Sequence, residues 1–250
     1  MSTTYLFIIA AGKGSRFNPN KPKALVEING VPNIINTINH AKGIFDRIIV
    51  VCNVYFRDWF EDVIKNRSDV FVLPIKSGLG DGHAIREAII ESPFPISRDI
   101  VIMWGDAYVQ SPAIFQEIRA EEYDSYYGEV GTLPVMLEEN PYVAFKLDEE
   151  NSNYCQSVDF SKKGEINVIG YHDQSIFKMN TLELITALDM LHNAFWKSTK
   201  YVTDTGELTF LYVIHYFHNT GKHVKMYQTV NSVLAFNTVE ELNQIELLLK

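Results

Sequence analysis

The stretch Ile9-Ala10-Ala11-Gly12-Lys13-Gly14-Ser15-Arg16-Phe17, followed by Pro22-Lys23-Ala24-Leu25, decides the reading of this chain. It comes directly after an apolar run, Tyr5 to Ile9, that reads as a buried first strand. A strand that empties into Gly-x-Gly turns successive backbone N–H groups toward one concave space, and their converging dipoles hold an anion. Glycine permits close backbone approach and positive φ. Arg16 and Lys23 bring two cations to the same place, which suits a triphosphate better than a single phosphate. The loop is not a Walker A motif, because no Gly-Lys-Ser/Thr ends it. Nor is it the dinucleotide fingerprint. Phe17 stands where the third glycine belongs, and no acidic residue ends the second strand.

Outward from this loop, the first half alternates two patterns. Arg47 to Asn53, Val70 to Ile75 and Ile100 to Trp104 are runs suited to strands buried on both faces. Asn33 to Lys42, Tyr55 to Lys65 and His83 to Glu91 carry apolar residues at helical spacing. Strand–helix alternation implies right-handed crossovers and an open α/β sheet. Ligands in such sheets bind beyond the carboxyl ends of the strands, where the Gly12 loop and Asp106 would meet. From about Glu138 the pattern changes. Tyr142 to Leu147, Gln156 to Phe160 and Glu165 to Ile169 read as short strands. Asn180 to Lys197 and Leu208 to Asn219 read as helices, Lys222 to Tyr227 as a last strand and Val239 to Leu249 as a last helix. One domain is expected over 1–250, with a nucleotide-binding half to about residue 137 and an acceptor-binding half from about 138.

The composition, 46% hydrophobic over 250 residues, is enough for one sizeable core. A formal charge of −9 argues against a nucleic-acid partner, since phosphate backbones demand a basic surface. Cys52 and Cys155 have no metal-binding spacing and form no disulfide framework. No basic segment precedes the first apolar run, and no run approaches a membrane span of about 18 apolar residues, so a cytoplasmic protein without a membrane partner is expected. Trp104-Gly105-Asp106 places a carboxylate at a strand end, after a glycine, where it can face a cleft. Magnesium prefers oxygen ligands and keeps several waters, so one carboxylate plus substrate oxygens can hold it. Asn237, read alone, is an N-cap near the start of the last helix.

The string A-A-G-K-G-S-R-F with P-K-A-L downstream resembles the signature of the nucleotidyltransferases of the glycosyltransferase-A-like fold, the sugar-1-phosphate pyrophosphorylases. That resemblance implies a Rossmann-like mixed open sheet flanked by helices. It also implies Mg²⁺-dependent transfer of a nucleoside monophosphate from a nucleoside triphosphate, CTP or UTP, to a phosphorylated acceptor, with pyrophosphate released. A sugar 1-phosphate is the first expectation for that acceptor, and a phosphocholine-like or polyol phosphate is the rival. A monomer or homo-oligomer is compatible with either. Arg16 and Lys23 match the family's catalytic cations. Ala10, Ala11, Gly12, Lys13, Gly14 and Ser15 match its phosphate cradle. Asp106 and Asn237 match its metal ligands, the latter within Ala235-Phe236-Asn237-Thr238.

Leu79-Gly80-Asp81-Gly82-His83-Ala84 resembles the base-binding loop of bacterial UDP-N-acetylglucosamine pyrophosphorylases, with Asp81 in place of the usual threonine. The glutamine that usually reads uracil upstream is missing. An ionised Asp81 would accept from the cytosine amine and repel the uracil O4, which leans the reading toward CTP. His83 reads as a structural residue at a helix start. Tyr201-Val202-Thr203-Asp204 resembles the family's Tyr-Leu-Thr-Asp segment. Val143 stands for its sugar-facing glycine, Asp159 for a sugar-binding glutamate with Lys162 close by, and Gln174 near a sugar-binding asparagine. Acceptor contacts are therefore expected at Val143, Asp159, Lys162, Gln174 and Thr203.

Overall fold

The computed structural model describes residues 3–12, 21–65, 67–76, 78–139, 141–149, 151–160, 169–236 and 238–249. Its centre is β1 (Thr4–Ala10), seven residues that are all buried. On one side β1 pairs in parallel with β2 (Arg47–Asn53), which pairs in parallel with β3 (Val70–Ile75). On its other side lies β4 (Asp99–Trp104), also parallel. Neighbours on both edges explain the unbroken apolar run. Tyr5, Phe7 and Ile9 enter one core, and Leu6, Ile8 and Ala10 enter the other.

Helices cover both faces. α1 (Asn33–Ala41) sends Ile34, Ile38 and Ala41 to the Leu6 face, together with Phe60 and Ile64 of α2 (Arg57–Ile64). α3 (Asp81–Glu91) sends Ile85, Ala88 and Ile89 to the Phe7 face. α4 (Ala113–Ala120) lies on the Leu6 face through Ile114, Phe115 and Ile118.

The sheet continues without a break into the second half. β5 (Glu129–Glu139) is its longest strand, followed by β6 (Val143–Leu147), β7 (Cys155–Phe160), β8 (Ile169–Asp173) and β9 (Ile176–Asn180). After α5 (Thr181–Phe195) and α6 (Tyr212–Asn219) come β10 (His223–Gln228) and α7 (Val239–Leu248). The ten strands run in the order β7-β6-β8-β5-β9-β4-β1-β2-β3, and β10 joins β5 in parallel. β9 is antiparallel to both β4 and β5, so the sheet is mixed and open. β8 and β9 both run antiparallel along β5, with a two-residue offset between them at Gln174–Ser175, where Ser175 takes φ +59°.

The expected strands β1 to β4 are present, as are the helices α1 to α3. The helix expected from Leu208 begins at Tyr212; Leu208 and Phe210 precede it. The strand expected over Glu165–Ile169 falls mostly outside the described residues, and the described strand starts at Ile169. The cap of α7 is Thr238, the residue after Asn237, and its side chain accepts from the Glu241 N–H. No helix among the described residues is long and apolar enough to cross a membrane.

Candidate active site

Lys23 and Asp106, 83 residues apart in sequence, meet beyond the carboxyl end of β4, where Nζ donates to Oδ2 at 2.8 Å. Local structure fixes each. Pro22 opens a single 3₁₀ turn over Lys23–Leu25, and the buried Ala24 and Leu25 anchor it. Lys23 also lies 5.5 Å from the ring centroid of the buried Phe236, the residue before Asn237. Gly105 permits the turn before Asp106. A Cβ there would stand 3.0 Å from the Ala10 Cβ and 3.1 Å from the Ile9 carbonyl, and its own N–H donates to that carbonyl at 2.9 Å. The Asp106 carboxylate is 43% exposed, and its ion pair with Lys23 leaves Oδ1 without a partner among the described residues. A half-exposed oxygen donor at a strand end fits a hard cation that keeps its own waters. No group of three or more His, Cys, Asp or Glu that could hold a metal occurs among the described residues.

Sequence reading missed Asn33. It is fully buried at the start of α1, and its Nδ2 donates to the carbonyls of Gly105 at 3.2 Å and Ala107 at 3.0 Å. These bonds brace the turn that carries Asp106 from both sides. An asparagine at a helix start reads as a cap from sequence, so nothing local signalled this longer reach.

The phosphate cradle is described in part. Ala10 and Ala11 are buried at the end of β1, and Gly12 is exposed just beyond them. A Cβ on Gly12 would meet nothing within 4 Å, and its φ lies outside the positive region. Lys13, Gly14, Ser15 and Arg16 lie outside the described residues, as do Lys162 and Asn237.

At the base loop, Asp81 Oδ1 accepts from the backbone N–H of Gly82 and of Phe210, each at 2.8 Å. Burial pushes this carboxyl up to about 6, against the two N–H donors that pull it down. The flanking glycines have a packing cause. Gly80 has φ +99°, and a Cβ on it would stand 2.3 Å from the Leu208 carbonyl oxygen. A Cβ on Gly82 would stand 2.9 Å from the same oxygen. His83 is buried near the start of α3. Its Nδ1 lies 2.8 Å from the Tyr201 hydroxyl, and that hydroxyl lies 2.7 Å from His192 Nδ1. One hydroxyl has one proton, so it donates to one imidazole and accepts from the other. Burial lowers the pKa of both histidines.

Four of the five acceptor candidates lie among the described residues. Gln174 is buried, and its Oε1 accepts from the Val233 N–H at 3.0 Å, which secures that backbone segment. Asp159 pairs with Lys146 at 2.7 Å on the edge formed by β6 and β7. Val143 packs partly buried against the Phe7-side core. Thr203 donates to the Glu207 carbonyl at 2.8 Å, within the segment that leads to Phe210. Cys52 and Cys155 are free, buried and pushed up to about 12 by burial, which removes both as nucleophiles.

Residues 6–130 match the MobA-like NTP transferase domain. The chain belongs to this family. The MobA-like match takes in β1, Lys23, the base loop and Asp106, and it ends inside β5, so it stops short of the acceptor candidates. Among curated relatives, the bifunctional protein GlmU of Francisella tularensis subsp. holarctica (strain OSU18) is 32% identical over 135 residues, which is 54% of this chain and 28% of that protein. GlmU of Francisella tularensis subsp. novicida (strain U112) is 30% identical over 134 residues, with the same coverage. The matched region is thus under a third of those relatives' length.

Solved structures extend the likeness over the whole MobA-like chain. The inositol-1-phosphate CTP transferase from T. maritima matches with TM-score 0.74 and 16% identity, covering 99% of this chain and 95% of that one. The CTP:phosphocholine cytidylyltransferase LicC from Streptococcus pneumoniae matches with TM-score 0.72 and 16% identity, covering 99% and 100%. A UDP-glucose pyrophosphorylase complexed with UDP-glucose matches with TM-score 0.75 and 14% identity, covering 100% and 98%. At these identities the likeness is one of fold, the glycosyltransferase-A-like nucleotidyltransferase fold.

Proposed function

We propose that this chain transfers a nucleoside monophosphate from a nucleoside triphosphate, CTP or UTP, to a phosphorylated small molecule and releases pyrophosphate. The observation that carries the reading is the meeting of Lys23 with Asp106 at the strand end, with Phe236 against Lys23. In this reading the Gly12 loop with Lys13, Gly14 and Ser15 cradles the triphosphate. Arg16 holds the β- and γ-phosphates, where charge builds as pyrophosphate leaves. Lys23 sits against the α-phosphate and the incoming phosphate. Asp106 and Asn237 would hold Mg²⁺, which when bound supplies charge neutralisation on phosphate oxygens. Most of the rate gain is positioning and electrostatics. The site works in the cytoplasm, needs no nucleic-acid or membrane partner, and belongs to one domain whose halves, to about 137 and from about 138, serve nucleotide and acceptor. A monomer or a homo-oligomer would serve equally.

For the acceptor, a sugar 1-phosphate is the first reading. A cytidylyltransferase for a small non-sugar phosphate is the second, and specific observations favour it. Gln174 and Asp159, expected to hold sugar hydroxyls, are engaged elsewhere. Two of the whole-chain structural neighbours are, by name, a CTP transferase of inositol 1-phosphate and a phosphocholine cytidylyltransferase. The test is a panel of the four triphosphates against sugar 1-phosphates, polyol phosphates and phosphocholine, with pyrophosphate release as readout. Release with one triphosphate and one acceptor class supports the reading. No release from any pair in the presence of Mg²⁺ sinks it.

A further inference from the structure

The base loop and the segment before α6 are bonded residue by residue. The Leu208 N–H donates to the Leu79 carbonyl at 2.8 Å, and the Gly82 N–H donates to the Leu208 carbonyl at 2.9 Å. Asp81 Oδ1 then takes the N–H of Phe210. Side chains larger than hydrogen at positions 80 and 82 would push these strands of backbone apart. Phe210 is fully buried, and its ring packs 5.7 Å from Trp104 and 5.1 Å from Phe177, centroid to centroid. Trp104 is the residue two before Asp106. On the other side, Thr203 is bonded to Glu207, one residue before Leu208.

From this arrangement we infer that Asp81 is a positioning residue that couples the base loop to the Leu208–Phe210 segment, and through the Phe210 ring to the strand end that carries Asp106. The inference rests on the proposed reading of Gly80–Gly82 as the base loop. A carboxylate shared between an N–H of its own loop and one from a distant segment makes the two move as one body. A nucleotide that orders the base loop therefore also orders the approach to Trp104 and the Thr203–Glu207 turn. Loss of the shared acceptor leaves only the backbone bonds through Leu208. Coupling between sites is reciprocal, so fixing one loop fixes the other.

Hydrogen exchange on the full chain tests this with CTP·Mg²⁺ and UTP·Mg²⁺ as probes, without any acceptor. In the wild type, the bound triphosphate should slow exchange across both 79–84 and 208–211. In Asp81→Ala the slowing should persist at 79–84 and fall severalfold at 208–211, with the triphosphate Kd raised. Asp81→Asn keeps an oxygen acceptor at Oδ1 and should restore the wild-type pattern, a rescue that a purely structural role does not predict. Equal protection of both segments in Asp81→Ala overturns the coupling while leaving the proposed reaction standing. Should Asp81→Ala not fold, the wild type alone decides: slowing confined to 79–84 overturns the inference. If neither CTP nor UTP binds the wild type, the reading beneath the inference falls and takes it along.

Discussion

At the scale of single residues, Lys23 and Asp106 form a pair in which stability and function separate. Their ion pair is partly exposed, and such pairs contribute about 0–1 kcal/mol. Asp106→Ala should therefore leave the melting temperature nearly unchanged while abolishing pyrophosphate release. A variant that melts like the wild type and turns over like it would remove Asp106 from the site. Lys23→Ala should slow the chemical step more than it weakens triphosphate binding. The phosphate charge shifts most in the transition state, and a lost donor there costs on the order of 3 kcal/mol. Single-turnover kinetics separate the two effects, and a change in KM alone would reassign Lys23 to binding. The same comparison applies to Arg16. Lys23 and Asp106 were each legible as part of a motif, because each follows or precedes a recognisable strand or turn, though not as an ion pair. The direction of Asp81 was not. A residue type at a loop end says nothing about which backbone donors lie within reach after folding, and here one of them sits 129 residues away.

Among the elements, legibility follows the number of neighbours a strand has. β1, β2 and β4 are flanked on both edges and both faces, so their apolar runs are uniform and readable. β5 is as central yet escaped notice, because Gly131 and Pro134 interrupt it. Gly131 is there for space: a Cβ would stand 2.5 Å from Met179 Sδ and 2.7 Å from the Lys178 carbonyl oxygen. β9 hid behind Lys178, which is buried and donates to the carbonyls of Arg119 at 3.0 Å and Glu121 at 2.5 Å near the end of α4. This lysine caps free carbonyls of a helix terminus. α1 supplies the element-scale prediction. Asn33→Ala strips two carbonyls of the Asp106 turn of their donor, and each buried group left unmatched costs about 1–3 kcal/mol. Both melting temperature and turnover should fall. Asp106→Ala should lower turnover alone, so thermal denaturation beside pyrophosphate release distinguishes bracing from chemistry. Unchanged turnover in a folded Asn33→Ala protein would show that the turn holds without it.

Over the whole molecule, burial places two opposed pH dependences on stability. His83 and His192 have lowered pKa values in the fold, so the unfolded chain takes protons there first. Their contribution to stability is complete above about 6.5 and is lost as pH falls through their folded values. Asp81 acts with the other sign. Its carboxyl is raised from 3.8 to about 6 in the fold, so between these values the native state holds a proton that the unfolded chain has released. Stability from this group is therefore greatest below 3.8, falls as pH rises toward 6, and is level above it. Asp81→Asn removes that dependence while keeping the oxygen that Gly82 and Phe210 donate to. The variant should match the wild type near pH 4 and exceed it increasingly to pH 6. Above that the gain should hold steady at on the order of 3 kcal/mol, since one pKa unit corresponds to about 1.4 kcal/mol. Denaturant melts of both proteins from pH 4 to 8 measure it, and the histidine contribution cancels in the difference. A difference that is flat with pH would mean that the carboxylate is solvated in the fold. A variant less stable than the wild type at pH 8 would mean that charge on Asp81 strengthens its bonds to Gly82 and Phe210 by more than burial costs.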